Sequence, residues 1–363
     1  MKEKKKLGNV LYLIPQENDF GGIQTFANQL YFFLRTRIKI EKISFNYLFL
    51  RGLKRELVNL SPETFAKMIL TEKDFGLSRK QLSLIMKADL IHYWHFDPAI
   101  LALNKKFIVS LHGLDILPKM TKYLGNSYLP LVISRAAAIH VPSLSSKKVI
   151  KRSYHCTNSL IVKIPPPVDH SKFKFKKFNP KRTIPVIGTL SRLVREKNVL
   201  KLIDALIYLK NNLNTNFEFI LAGDGPERVK ILKKLKTVNF YWQYLGAISN
   251  EDKIEKFYKQ IDLFVLLPIE DDYYVEGFGI VYVEANACGV PVLASKSGGS
   301  SEAVKLNVSG LFVDPHDQVK IALKIKKMIE HRPISPQKAE EWSQKFNLED
   351  TSSQFIELYN KLV

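Results

Sequence analysis

The chain has 363 residues, 46% hydrophobic and 25% charged, with 17 Gly and 17 Pro, a composition that excludes a disordered, low-complexity or fibrous protein. At about 150 residues per domain it has room for two domains, each with a sizeable core. Lys and Arg number 55 against 35 Asp and Glu, and a net charge of +20 asks for an anionic partner: nucleic acid, phospholipid or a phosphorylated small molecule.

The opening MKEKKKLGNVLYLIP starts like a signal peptide, but its apolar run closes at Pro15 with no small-residue cleavage site, so residues 9–14 read as a first strand. A glycine pair, Gly21 and Gly22, leads into a helix over 23–34, and apolar runs at 38–45, 90–94, 107–111 and 138–141 read as buried strands. Alternation of buried strands with amphipathic stretches is the pattern of a parallel sheet with crossover helices. The run IPPPVDHSKFKF, residues 164–175, breaks it, because three prolines forbid helix and disfavour a central strand. Strand patterns resume at 184–190, 217–221, 239–245, 261–267, 290–294 and 311–313, which makes a second doubly wound sheet. Two helical patterns close the chain, with Asn347 as a cap between them and Phe355, Leu358 and Leu362 on one stripe. The expected organisation is 1–170, 171–340 and a terminal segment 341–363 returning to the first domain. Paired open α/β domains bind ligands beyond the carboxyl ends of their strands, so the chemistry is expected in a cleft between them.

No window approaches the roughly 18 unbroken apolar residues of a membrane-spanning helix. Cys156 and Cys288 lack metal-ligand spacing, which argues against a disulfide framework or zinc and suits a reducing cytoplasm. Residues 1–170 carry 26 basic and 12 acidic side chains, +14, and the remainder carries +6. No nucleic-acid module accompanies this charge. The alternative to an anionic partner is a solvated lysine-rich surface.

The segment VEGFGIVYVEANACGVPVLASKSGG, residues 275–299, carries the clearest chemistry. Gly277 and Gly279 let backbone approach a ligand, and the helix starting behind them, near Ile280, points free N–H groups at an anion. Glu276 stands before this loop and Glu284 eight residues on, two turns up the helix, and both can accept hydrogen bonds from sugar or ribose hydroxyls. In GTLSRLVREKN, residues 188–198, Arg192 and Lys197 offer a guanidinium fork and an ammonium to a diphosphate, with Arg195 as the competing cation. The FGG turn is a further backbone cradle, but it lacks G-x-G-x-x-G, and LAGDGPERVK is no Walker loop, so NAD and ATP-hydrolysing classes fall behind. His112 follows a strand on the cleft side, whereas His92, His95, His140 and His155 have no such context and read as structural. The acidic run Glu270, Asp271, Asp272 reads as solvated, and no metal site is expected.

Together, these motifs resemble the GT-B glycosyltransferases, specifically retaining glycosyltransferase family 4, also called group 1. The resemblance is carried by the glycine pair, His112-Gly113, Pro167-Val168-Asp169, SRLVREK, LAGDGPE, YLGAIS, EGFGIVYVEANACGVPVLAS, and Gly298-Gly299 with Glu302. It implies two Rossmann-like doubly wound domains facing across a cleft, the first on the acceptor side and the second binding the nucleotide sugar. It further implies that Arg192 and Lys197 bind the donor diphosphate, Glu276 with the amides of Gly277, Phe278 and Gly279 the donor sugar, and Glu284 the ribose. Gly22 would approach the phosphates from the opposite domain, Ile280 would open the anion-binding helix, and His112 would face the transferred sugar. The base would lie near Gly223 and residues 245–248. Four departures stand out: Gln24 in place of an acidic residue, Asn198 in place of glycine, Pro165 to Pro167 in place of Pro-Asn-Gly, and extra residues 269–274 before Glu276.

The implied activity is metal-independent sugar transfer with retention from a UDP- or GDP-sugar to a glycan or lipid-linked acceptor, needing no cofactor, in cell-surface polysaccharide, lipopolysaccharide or glycolipid synthesis. The expected location is the cytoplasm, peripheral at the inner membrane face, with an anionic membrane surface as a partner through Lys2, Lys4, Lys5, Lys6 and residues 172–178. The rivals are a nucleotide-sugar epimerase on the same scaffold and a noncatalytic assembly partner, which should have lost Arg192, Lys197 or Glu276.

Overall fold

The structure, a computed structural model, describes residues 8–15, 22–45, 78–95, 99, 105–113, 116–117, 129–154, 160–175 and 183–363. Gly21, His155, Cys156, the four N-terminal lysines and residues 176–178 lie outside the described residues. The chain divides into two compact units, Met1–Pro167 with Leu348–Val363, and Val168–Asn347.

In the first unit, β1 (Val10–Pro15), β2 (Ile40–Phe45), β3 (Leu90–Tyr93), β4 (Phe107–Ser110), β5 (Ala138–Val141) and β6 (Leu160–Lys163) form one parallel sheet. Its order is β2-β1-β3-β4-β5-β6, the flavodoxin-like winding, which reverses direction between β1 and β3. Strand β6 escapes the sequence pattern because it is a short edge strand with Leu160 exposed and three prolines close behind. Helix α1 (Gly22–Leu34) buries Phe26, Ala27, Leu30 and Leu34 at helical spacing; α2 (Arg79–Lys87), α3 (Leu129–Arg135) and α4 (Leu144–Ser153) follow. The C-terminal helix Leu348–Leu362 joins α1 and β1 in this core through Phe355, Leu358 and Tyr359, with Leu362 only partly buried at the end of the expected stripe.

A chain of polar groups crosses this apolar core. Tyr12 and Tyr359 hydroxyls meet at 2.5 Å, Tyr359 reaches His92 Nδ1 at 2.8 Å, His92 Nε2 reaches Ser110 Oγ at 2.7 Å, and Ser110 Oγ reaches His140 Nδ1 at 2.7 Å. It ends at the carbonyl of Ile164, 2.8 Å from His140 Nε2. A carbonyl only accepts, so His140 carries its proton on Nε2, Ser110 donates to Nδ1, His92 donates from Nε2, Tyr359 donates to His92, and Tyr12 donates to Tyr359. With both imidazoles neutral, that one terminal acceptor sets both tautomers. Burial agrees: it drives His92 well below the ordinary histidine range and His140 to about 4, the Ile164 hydrogen bond pulling the latter partly back. His92 and His140 are structural, tying β1, β3, β4, β5 and the terminal helix together.

The second unit holds β7 (Val186–Leu190), β8 (Glu218–Ala222), β9 (Tyr241–Tyr244), β10 (Leu263–Leu266), β11 (Val292–Ala294) and β12 (Gly310–Phe312), all parallel, in the order β12-β11-β10-β7-β8-β9. That is the Rossmann winding, with its switch point between β7 and β10. Its helices are α5 (Val199–Asn211), α6 (Arg228–Leu235), α7 (Ile280–Ala287), α8 (Ser300–Ala303), α9 (Gln318–Glu330) and α10 (Pro336–Ser343). Alternate strand residues serve opposite faces: Ile187, Phe219, Leu263 and Val265 pack under α5, α6 and α9, while Val186, Ile220, Phe264 and Leu266 pack with Tyr258, Tyr282 and Val283. Both faces are apolar, which is why the strands read as continuous hydrophobic runs. Helix α10 packs on α7, and Val168 N donates to Phe346 O at 2.7 Å, so the segment that returns to the first unit begins at Leu348. Among the described residues no helix is long and apolar enough to cross a membrane.

Candidate active site

The switch point of the second unit places two loops side by side, one leaving β7 and one leaving β10. The first carries exposed Arg192, then a 3₁₀ turn, Arg195–Lys197, and Asn198 with φ 58°. That left-handed backbone favours glycine, and Asn is the side chain that best tolerates it, so the departure at Asn198 preserves the turn. The LAGDGPE segment braces the same loop: Leu193 N donates to Asp224 O at 2.8 Å, and a Cβ on Gly223, whose φ is +123°, would stand 1.8 Å from Ser191 O.

The loop after β10 delivers Glu276. Lys197 Nζ donates to Glu276 Oε2 at 2.6 Å, and Tyr274 OH donates to the same oxygen at 2.9 Å. Lys197 and Glu276 side chains are 13% and 10% exposed, so this is a buried pair and not a surface ion pair of negligible worth. Burial alone would raise the Glu276 pKa, but the Lys197 charge and hydrogen bond, the Tyr274 hydroxyl and the Arg192 charge outweigh it, holding the carboxyl below its ordinary range. Its backbone is held too: Gly299 N donates to Glu276 O at 2.8 Å, and a Cβ on Gly298 would come within 2.1 Å of that oxygen.

Helix α7 begins at Ile280 behind Gly279, whose φ of +84° turns the chain into the helix; among the described residues no side chain caps it. Its first amides are therefore open to an anion. Because the helix starts only after Gly279, Glu284 sits one turn above its start, a correction to the two turns expected from spacing. Phe278 lends the loop its amide only, since its ring is buried against Phe346.

Glu284 is buried, not solvated, and two unforeseen groups hold it. Tyr258 OH donates to Oε2 at 2.7 Å, and Lys253 Nζ lies 3.4 Å from Oε1. Both come from a π-helical segment, Lys253–Tyr258, in which Lys259 N donates to Ile254 O, five residues back, at 2.9 Å. The wider turn brings residues five apart onto one face, where an α-helix would hold them about 140° apart. No 3.6-residue pattern reveals that. Tyr274 was equally unforeseen, although its position in the extra loop two residues before Glu276 was a signal.

Two members of the acidic run hold the backbone and Arg195: Glu270 Oε2 accepts from Gly298 N at 3.0 Å, Asp271 Oδ1 from the amides of Tyr273 and Tyr274, and Asp271 lies 3.9 Å from Arg195. Among the described residues no group of three or more His, Cys, Asp or Glu could hold a metal ion.

Residues 170–346 match the family described as Glycosyl transferases group 1, and residues 21–172 match Glycosyltransferase Family 4. The chain belongs to the group 1 glycosyltransferases of family 4. Its two parallel α/β units are those of the GT-B fold: HepE of Anabaena, solved with UDP and glucose, aligns with a TM-score of 0.74 at 20% identity, covering 98% of this chain and 100% of that one. Sucrose-phosphate synthase from Thermosynechococcus elongatus aligns at 0.73 and 17% identity, covering 98% and 99%. Among curated relatives, the GDP-mannose-dependent alpha-(1-6)-phosphatidylinositol monomannoside mannosyltransferase of Mycobacterium tuberculosis is 33% identical over 144 residues, 38% of this chain and 36% of that protein. An N-acetyl-D-galactosaminyltransferase of Campylobacter jejuni that acts on an undecaprenol-linked glycan is 27% identical over 139 residues, again 38% and 36%. The chain thus aligns with little more than a third of these relatives.

The remaining members of the family pattern lie in the first unit, at its own strand ends. Gly22 opens α1 after β1, and among the described residues a Cβ there would meet nothing within 4 Å, so packing against them does not require glycine. His112 follows β4, half-buried, its ring stacked on Trp94 at 6.0 Å and 16° and edge-on to His140 at 5.7 Å. Burial and the neighbouring histidines drive its pKa well down, so it is a neutral imidazole.

Proposed function

We propose that this protein transfers a sugar, with retention and without a divalent metal, from a UDP- or GDP-sugar to the hydroxyl of a glycan or lipid-linked acceptor. The observation that carries the reading is the Lys197–Glu276–Tyr274 cluster beside Arg192 and the uncapped start of α7, at the switch point of a Rossmann sheet. A diphosphate there meets two cations and a helix N-terminus, which neutralise the leaving group as its bond breaks. Glu276 accepts from a sugar hydroxyl and Glu284 from the ribose. The sugar C1–phosphate oxygen bond breaks while the acceptor oxygen bonds to C1 on the same face, and the acceptor proton passes to the departing diphosphate. The protein's part is orientation and electrostatics. His112 is assigned to the transferred sugar and Gly22 to the phosphates. UDP in the HepE structure and GDP-mannose in the mycobacterial relative's name support the donor class.

The test is incubation of UDP-glucose or GDP-mannose with lipid-linked glycan acceptors in EDTA, with the product linkage read by NMR. An α-linked product from these α-donors is expected. Inversion, a metal requirement, or conversion of the sugar nucleotide without acceptor, as an epimerase would give, overturns it. The +14 charge of residues 1–170 supports peripheral docking on an anionic inner leaflet, each basic group adding at most about 1 kcal/mol. Flotation with anionic vesicles at low salt is expected, and its absence there refutes docking.

A further inference from the structure

The six residues that precede Val275 and Glu276 form a strap whose every turn is tied down. At its start Ser295 Oγ donates to Pro268 O at 2.5 Å and Ile269 N to Glu196 O at 2.9 Å, fastening the strap to β11 and to the turn that carries Lys197. Glu270 holds Gly298 N at 3.0 Å, on the loop that clamps the Glu276 backbone. Asp271 then closes a tight turn, accepting from Tyr273 N at 2.8 Å and Tyr274 N at 2.9 Å while its own N–H donates to Tyr274 O at 3.0 Å. What this turn delivers is Tyr274, 4% exposed, with its hydroxyl on Glu276 Oε2 and its ring 5.4 Å from the Lys197 ammonium.

Both donors to Glu276 use Oε2, and among the described residues none reaches Oε1. The two donors differ in what a diphosphate does to them. Lys197 is a cation, and an arriving diphosphate competes for it. Tyr274 is neutral, and burial together with the Glu276 carboxylate keeps its proton in place. It is the donor that stays on Oε2 when Lys197 turns to phosphate.

Resting on the reading of Glu276 as the sugar-binding carboxylate, we propose that Tyr274 is a positioning residue for the donor sugar. It holds Oε2 of Glu276 so that Oε1 faces the sugar hydroxyls, and the strap from Ile269 to Tyr274 is the device that seats it. The strap therefore belongs to donor selection and not merely to loop length.

The test is calorimetric titration of UDP, UDP-glucose, GDP and GDP-mannose into wild type, Tyr274→Phe, Glu276→Gln and the double variant, scored as the affinity ratio of sugar nucleotide to bare nucleotide. Losing one hydrogen bond to a charged group corresponds to about a tenfold fall. Tyr274→Phe is expected to lower the ratio about tenfold with bare-nucleotide affinity within about twofold, and the double variant to be no worse than Glu276→Gln, because Tyr274 acts through Glu276. Asp271→Ala, which loosens the turn and also releases Arg195, is expected to weaken sugar-nucleotide binding in the same way but less, and guards against a folding defect in one variant. Additive losses in the double variant, or an unchanged ratio in Tyr274→Phe, overturn the proposal. If Glu276→Gln leaves the ratio unchanged, or wild type binds none of the four, the underlying reading fails instead.

Discussion

Lys197→Ala and Arg192→Ala are each expected to lower sugar transfer by roughly a hundredfold or more, the scale for removing one preorganised charge stabiliser from a transition state. The two losses differ in origin. Arg192 is exposed, so its removal subtracts positive potential and little else. Lys197 is the counterion of a buried carboxylate, and its loss leaves Glu276 with Tyr274 as its hydrogen-bond donor and burial pushing its pKa up. Lys197→Ala should therefore also destabilise the fold and move the Glu276 titration to higher pH. In wild type, the depressed pKa contributes stability above the ordinary carboxylate value, and that stability is lost as pH falls through the folded value. In Lys197→Ala burial raises the folded value, the gap to the ordinary carboxylate value narrows, and less stability is lost on acidification. Lys197→Met combined with Glu276→Gln separates the two effects: with no buried charge left unpaired it should recover stability and still fail to transfer. Urea denaturation beside a transfer assay measures both, and wild-type rates in either single variant contradict the assignment of that cation.

Glu276→Gln is expected to weaken sugar-nucleotide binding or slow transfer strongly while leaving UDP or GDP binding nearly unchanged, since its bonds are assigned to the sugar. The substitution keeps the shape of the side chain but removes the charge from Oε2, so Lys197 is released from its ion pair. Equal losses for nucleotide and sugar nucleotide move Glu276 off the sugar.

Much of this site is legible in the amino-acid sequence. The run of apolar strands with amphipathic crossovers gave both sheets, and Gly277, Gly279, Glu276, Glu284, Arg192 and Lys197 marked where the chain turns at the ends of β7 and β10. What stayed hidden depends on geometry that sequence spacing does not encode. Lys253 and Tyr258 share Glu284 because of a π-helical segment, whose period differs from that of the α-helix. Tyr274 reaches Glu276 because Asp271 folds a tight turn. The polar chain through His92 and His140 spans residues 12 to 359, and its order follows from strand register across the sheet, not from any local motif. Strand β6 was lost beside the prolines that mark the passage between units.

The measurement that bears most directly on the account is a thermal-shift titration of wild type and the Arg192→Ala/Lys197→Ala double variant with UDP, GDP, ADP and CDP and their sugars. Saturable stabilisation of wild type by one nucleotide is predicted, worth about 2.7 kcal/mol at a hundred times Kd, with the matching sugar nucleotide at least as effective and the double variant unresponsive. No shift with any nucleotide, or an equal shift in the double variant, contradicts a nucleotide-sugar site built on Arg192, Lys197 and Glu276.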